Sequence, residues 1–235
     1  YRQDMLGNFQ NFEGAMNYYM TRFMTPSLQC AMNELSNHDH SRFLTRTNHK
    51  VGRVDHLGSA AAGEDLNKGV MKEAVVVQMT WPGAPTIYYG DEAGAVGFTD
   101  PDNRRTYPWG NEDQELLAFH RDIIRIHKQY EAFRTGSLKF LGGDYQVMCY
   151  GRFNREQQFV VVINNDYVER HMEWRVWPAG MERETRLERI MMTTPESYTM
   201  EPEIYRVTNG RIKLTLPPNC AVIFKNIGNE EKLAF

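Results

Sequence analysis

The chain has 235 residues, 41% of them apolar, which is enough for a substantial core in one large domain or two smaller ones. Lysine and arginine number 27 against 30 aspartates and glutamates, and no basic run stands out. Neither nucleic acid nor an anionic membrane therefore finds an electrostatic footprint, and no stretch approaches the roughly 20 consecutive apolar residues of a membrane span.

In chain order, Asn17-Tyr18-Tyr19 after the small-residue run Gly14-Ala15-Met16 predicts a short buried strand. Leu28 to Leu35 predicts a second, ending at Ser36-Asn37. Between Leu66 and Thr80, Val70, Met71, Ala74, Val75 and Val77 follow a helical rhythm, which Trp81-Pro82-Gly83-Ala84-Pro85 breaks. Thr86-Ile87-Tyr88-Tyr89 is β-branched and aromatic, a strand closed by Gly90-Asp91-Glu92. Asn111 with Gln114 resembles a capping box, opening an amphipathic helix through Leu116, Leu117, Ile123, Ile124, Ile126 and Tyr130 that stops near Gly136. Strand–helix–strand–helix order with short connections implies an α/β fold with a parallel sheet.

After Gly136 short strands follow one another: Gln146–Phe153, Phe159–Asn164, Met172–Trp177, Arg211–Leu216 and Ala221–Lys225. Turns at Gly142-Gly143, Asn164-Asn165-Asp166, Asn209-Gly210 and Pro217-Pro218 separate them. This grammar predicts an antiparallel sandwich or small barrel of about 100 residues, and divides the chain into residues 1–136 and 137–235. The three cysteines, Cys30, Cys149 and Cys220, are scattered and lack CxxC spacing. They read as buried thiols of a reducing, cytoplasmic compartment. The chain begins at Tyr1 with no signal-peptide pattern and reads as a piece of something longer.

Two polar clusters carry the chemistry. In "NELSNHDHSRFLTR" (Asn33–Arg46), Asn37-His38-Asp39-His40 follows a candidate strand, where a parallel α/β barrel keeps its active site. A carboxylate there can stabilise a developing cation and an imidazole can hydrogen-bond a hydroxyl-rich ligand; the plainer reading is a solvated turn with Asp39 capping a helix. In Asp100-Pro101-Asp102-Asn103-Arg104-Arg105, Asp100 and Arg104 can form a fork for sugar hydroxyls. The plainer reading there is a surface ion pair worth at most about 1 kcal/mol. Trp81, Tyr88, Tyr89, Phe98, Tyr107 and Trp109 offer stacking faces, or core. A metal reading would place His38 and His40 on one face of a strand, with His49 and His56 following, but no third ligand is convincingly spaced.

Read together, the segments resemble the α-amylase family of glycoside hydrolases, in its neopullulanase, cyclomaltodextrinase and maltogenic-amylase branch. "MNYYM" (Met16–Met20) is similar to the sixth-strand element, "NHDHSRFLT" (Asn37–Thr45) to the seventh-strand motif, and "GAPTIYYGDEAG" (Gly83–Gly94) to the eighth-strand motif. "DPDNRRTYPW" (Asp100–Trp109) is similar to the branch's DPDCRRP segment, with Asn103 in place of cysteine. The resemblance implies about strands six to eight of a (β/α)8 TIM barrel followed by a C-terminal β-sandwich. It also implies retaining cleavage of α-1,4 or α-1,6 bonds in maltodextrins, cyclodextrins or pullulan, without a cofactor. Asp39 then matches the aspartate that stabilises the transition state, and His38, Asp100 and Arg104 match substrate-binding residues. Arg42 supports the seventh-strand loop and Glu92 the barrel rim.

The family's nucleophile (G-F/L-R-x-D) and general acid (G-E) belong to strands four and five. Neither motif stands ahead of Met16–Met20; Asp4 and Glu13 lie there, neither in the required context. The chain by itself is therefore expected to be inactive, and its open barrel edges to associate with each other or with the missing N-terminal barrel half. Two other readings are a non-catalytic amylase-like binding or assembly domain, and a metal-dependent hydrolase using His38 and His40.

Overall fold

The computed structural model describes residues 7–50 and 52–229. Helix α1 (Phe9–Met20) starts at Asn8, whose side-chain oxygen accepts the Asn11 amide at 3.1 Å. Phe9, Phe12, Met16 and Met20 recur at helical spacing and pack into the core. The strand expected at Asn17-Tyr18-Tyr19 is thus the end of this helix, with both tyrosines exposed; a cap and an apolar stripe outweigh the β-propensity of two aromatic residues. The expected strand over 28–35 is also shorter. Helix α2 (Thr25–Gln29), with proline in its first turn, takes its beginning, and β1 is Met32–Glu34.

Helices α3 (Phe43–Arg46), α4 (Val54–Leu57) and α5 (Lys68–Thr80) lead to β2 (Ala84–Thr86), which pairs in parallel with β1, Met32 opposite Ala84 and Glu34 opposite Thr86. Of the three barrel-type strands expected, these two are present among the described residues. The Gln78 amide locks the pair by donating to Asn33 O at 3.0 Å and Thr86 O at 2.8 Å. Gly83 is required just before β2: its φ is +134° and a Cβ there would meet Ala31 O at 2.6 Å. Ile87-Tyr88-Tyr89, expected in the strand, lies beyond its end.

Helix α6 (Gln114–Gln129) is capped by Asp113, whose carboxylate accepts the Leu116 amide at 3.1 Å, not by the expected Asn111. Both residues are good caps, but Asp113 also pairs with Lys68 at the start of α5, so tertiary contact selects it. Leu116, Phe119, Ile123 and Ile126 form its buried face, and the short α7 (Glu131–Arg134) follows.

The rest is antiparallel: β3 (Ser137–Asp144), β4 (Val147–Phe153), β5 (Gln158–Asn164), β6 (Arg170–Arg175), β7 (Thr185–Thr193), β8 (Tyr198–Thr199), β9 (Glu203–Val207), β10 (Arg211–Leu216) and β11 (Cys220–Asn226). One sheet runs β3-β4-β5-β11-β7-β8 with β9 on β7, and a second pairs β6 with β10. Gly142-Gly143, expected as a turn, lies inside β3, where the register slips after Phe140. Alternation along β5 builds two cores. Val161 and Ile163 pack with α5 and α6, while Val160 and Val162 pack with Trp174, Ile212 and Leu214 of the second sheet. Cys149 and Cys220 are buried free thiols, but Cys30 is exposed, against expectation.

Polar groups fasten the helices to the large sheet. The Tyr150 hydroxyl lies 2.6 Å from Thr80 Oγ1 at the end of α5. The buried Arg152 guanidinium donates to the carbonyls of Thr80, Gly136 and Ser137; burial lowers its pKa to about 10. On the same face Glu73 of α5 is buried, facing Asn219, and burial pushes its carboxyl well above the ordinary glutamate range. The folded chain holds this proton more tightly than the unfolded chain does. The stability this contributes is therefore present below the ordinary glutamate pKa and is lost as pH rises through the raised folded value. Glu73→Gln should remove that slope. In thermal unfolding the variant is expected to gain on wild type between about pH 4 and about pH 8, by roughly 3 °C or more, the equivalent of about 1 kcal/mol. An equal difference in Tm at both pH values would contradict the assignment.

Candidate active site

The loops that leave β1 and β2 make the site. After β1, Asn37 folds the chain over itself. Its Oδ1 accepts the amides of Asp39 at 2.9 Å and His40 at 3.1 Å, and its Nδ2 donates to Glu34 Oε1 at 2.6 Å. The fold of this loop leaves Asp39 free of capping duty, with its carboxylate 3.5 Å from His38 Nε2 and both side chains about two-thirds exposed (67% and 65%). The loop is not a strand, so the shared face that the metal reading needed for His38 and His40 does not exist. Among the described residues no group of three or more His, Cys, Asp or Glu side chains is placed to hold a metal ion.

After β2, Asp100 and Arg104 form an ion pair at 2.7 Å, both half exposed. Asp102, by contrast, turns inward. It accepts the Phe98 amide at 2.7 Å and pairs with Arg105 at 2.8 Å, which fixes the turn and leaves Asp100 as the outward carboxylate. Asp39–His38 and Asp100–Arg104 form as separate pairs, and what joins them is Asn103. Its buried amide donates to Asn37 O at 3.0 Å and His40 O at 2.7 Å, binding the second loop to the first.

Beneath both loops lies Arg42, fully buried. Nε donates to Asn103 O at 2.9 Å, and Nη1 donates to Tyr89 O at 2.5 Å and Asp91 Oδ1 at 3.0 Å. Its guanidinium lies 4.0 Å from the Tyr88 ring centroid and 4.6 Å from that of Tyr89. Its backbone amide reaches Gly97 O at 2.9 Å. Gly97 has no room for a side chain, since a Cβ would meet Asp102 O at 2.4 Å. Burial pushes the Asp91 carboxyl above its ordinary value, although Ser36 and Arg42 pull it back. Glu92 lies in the turn of residues 91–93 with Oε2 buried, and burial, then Glu92, pushes up the Tyr107 hydroxyl. Arg42 thus supports the loop after β1 from within, as expected.

Of the candidate aromatic faces, Trp81 and Phe98 are core, Tyr88 and Tyr107 are half-buried, and Tyr89 and Trp109 are exposed. Glu13 belongs to α1, and Asp4 lies outside the described residues. The residue that motif reading missed is Asn103, noted only as a replacement for cysteine. The arrangement offers an open carboxylate beside an imidazole and, one loop away, a carboxylate–guanidinium fork. These groups suit hydroxyls and a transient positive charge.

Residues 4–149 match the family model described as alpha amylase, catalytic domain. The chain belongs to the α-amylase family. An amylopullulanase of Thermoanaerobacter thermohydrosulfuricus is 40% identical over 131 residues, 56% of this chain and 9% of that protein. Neopullulanase 2 of Thermoactinomyces vulgaris is 28% identical over 227 residues, 92% of this chain and 33% of that one. The chain thus spans a third or less of these two relatives. An Anoxybacillus α-amylase shares the fold at a TM-score of 0.74 and 19% identity, covering 95% of this chain and 44% of its own.

Asn103→Ala should cut the tie between the loops. The expected cost is about 1–3 kcal/mol of stability, with faster amide hydrogen exchange over residues 37–42 and no change in β4 or β5. Unchanged exchange over 37–42 would show that the loops hold their shape without it.

Proposed function

We propose that this chain is the portion of a retaining α-glucan hydrolase that stabilises transition-state charge and grips the sugar, with β1 and β2 serving as the seventh and eighth strands of the barrel. As the glycosidic bond lengthens, positive charge spreads over the ring oxygen and anomeric carbon. The Asp39 carboxylate faces that charge, worth most where the closed cleft excludes water. His38 hydrogen-bonds hydroxyls of the same sugar, and the Asp100–Arg104 fork takes those of its neighbour. Arg42 and Asn103 hold these groups in register without touching substrate. The nucleophile and general acid come from strands ahead of β1. Maltodextrins, cyclodextrins and pullulan are the substrate class, in keeping with the relatives' names.

The observation that carries this reading is the buried Arg42, which joins both motif loops through backbone carbonyls and one carboxylate. The remainder of the barrel would meet the apolar groove of about 520 Å³ lined by Phe12, Met16, Leu35, Val77 and Trp81. It would also cover Tyr18, Tyr19, Phe23, Met24 and Met32, which are all exposed.

The purified chain is accordingly expected to release no reducing sugar from maltoheptaose, and measurable turnover would overturn the assignment of roles. When the chain is joined to the strands bearing nucleophile and acid, Asp39→Asn should lower kcat roughly 100-fold or more with Tm unchanged. A loss below about tenfold, or 1.4 kcal/mol, would remove Asp39 from the chemistry.

A further inference from the structure

Trp109 is 79% exposed, on the turn that follows the Asp100–Arg104 pair. An indole combines a large apolar face with a polar N–H edge, the combination that suits a binding surface. It is held, not loose. The Trp109 amide donates to Tyr107 O at 2.8 Å, the Asn111 amide to Pro108 O at 2.9 Å, and Gly110 closes the turn at φ +78°. The Tyr107 ring lies against the indole, centroids 4.4 Å apart and planes 45° to each other. Tyr107 in turn packs over Gly90: a Cβ on that glycine would lie 3.9 Å from the tyrosine ring and 3.9 Å from Arg42 Nη1. Gly90 thus has the Tyr107 ring and the buried guanidinium both near it. Tyr89, 42% exposed, donates its hydroxyl to Arg105 O at 2.8 Å, next in the chain to Arg104.

We propose that Trp109, braced by Tyr107, is a stacking platform for a glucose unit of an α-glucan lying beyond the Asp100–Arg104 fork. The proposal rests on the glucan reading of the site and extends it to chain length. A pyranose presents a C–H face that packs on an aromatic ring and a hydroxyl edge that needs polar partners. A strip running from a carboxylate–guanidinium fork to a braced indole supplies both in that order. A single glucose fills one end of such a strip; a longer chain covers it, so the platform selects for length.

The test is an amide and indole NMR titration of this chain with glucose, maltoheptaose and cellohexaose, the Trp109 signal being assigned from Trp109→Phe. Maltoheptaose is expected to shift the Trp109 indole and the Gly110 amide together with Arg104, at least about tenfold more tightly than glucose or cellohexaose. Trp109→Ala, on an exposed turn, should leave the rest of the spectrum in place and weaken maltoheptaose binding by about tenfold. Trp109→Phe should retain part of it. Shifts at His38 and Arg104 with Trp109 unmoved would overturn the platform and leave the site's function standing. Equal response to cellohexaose would overturn the α-glucan assignment of the platform. No response from any residue would overturn the platform and the glucan reading together.

Discussion

A guanidinium removed from water depends on buried acceptors, and Arg42 finds three of them on two stretches of the chain after β2, residues 89–91 and Asn103, 47 to 61 residues from its own position. Its acceptors are the carbonyls of Asn103 and Tyr89 and the carboxylate of Asp91. Burying one charge without the others in place is strongly unfavourable, so the loops after β1 and β2 are ordered by the fold and not by a ligand. Asn103 continues the same logic outward, carrying the turn of residues 100–105 onto the backbone of Asn37 and His40. Asp39, His38, Asp100 and Arg104 are left outward-facing on that support.

The support extends through the molecule. Gln78 on α5 joins β1 to β2, and the end of the helix is fastened to the large sheet by Tyr150 and Arg152, while Met71, Val75 and Met79 belong to the core it shares with that sheet. The large sheet is thus buried on two sides, by the helices and by β6 and β10. A disturbance at the Thr80–Tyr150 contact would reach the site through one helix and the two short strands it holds.

Much of this was legible beforehand, for reasons that differ by element. β5 and β11 are buried on both faces and so read as continuous β-branched and aromatic runs. β7 was missed because its buried positions, Thr185, Leu187, Met191 and Thr193, are interleaved with Arg186, Glu188 and Arg189. β3 was missed because its two glycines look like a turn and act as a bulge. The tyrosine pair in α1 looks like a strand because the stripe that makes it a helix begins nine residues earlier, at Phe9. In the site, Asp39, His38, Asp100 and Arg104 were visible as outward polar residues in familiar motifs. Asn103 was not, since its partners lie 66 and 63 residues away and no local pattern announces them.

The central claim is that the Asp39 carboxylate favours a sugar bearing positive charge. Calorimetric titration of this chain with 1-deoxynojirimycin, a glucose analogue protonated at its ring nitrogen, against neutral glucose tests that claim without requiring turnover. The account predicts tighter binding of the cation by about tenfold or more, and loss of the preference in Asp39→Asn with the fold intact. Equal affinity for the two sugars in wild type, or a preference that survives the substitution, would contradict it.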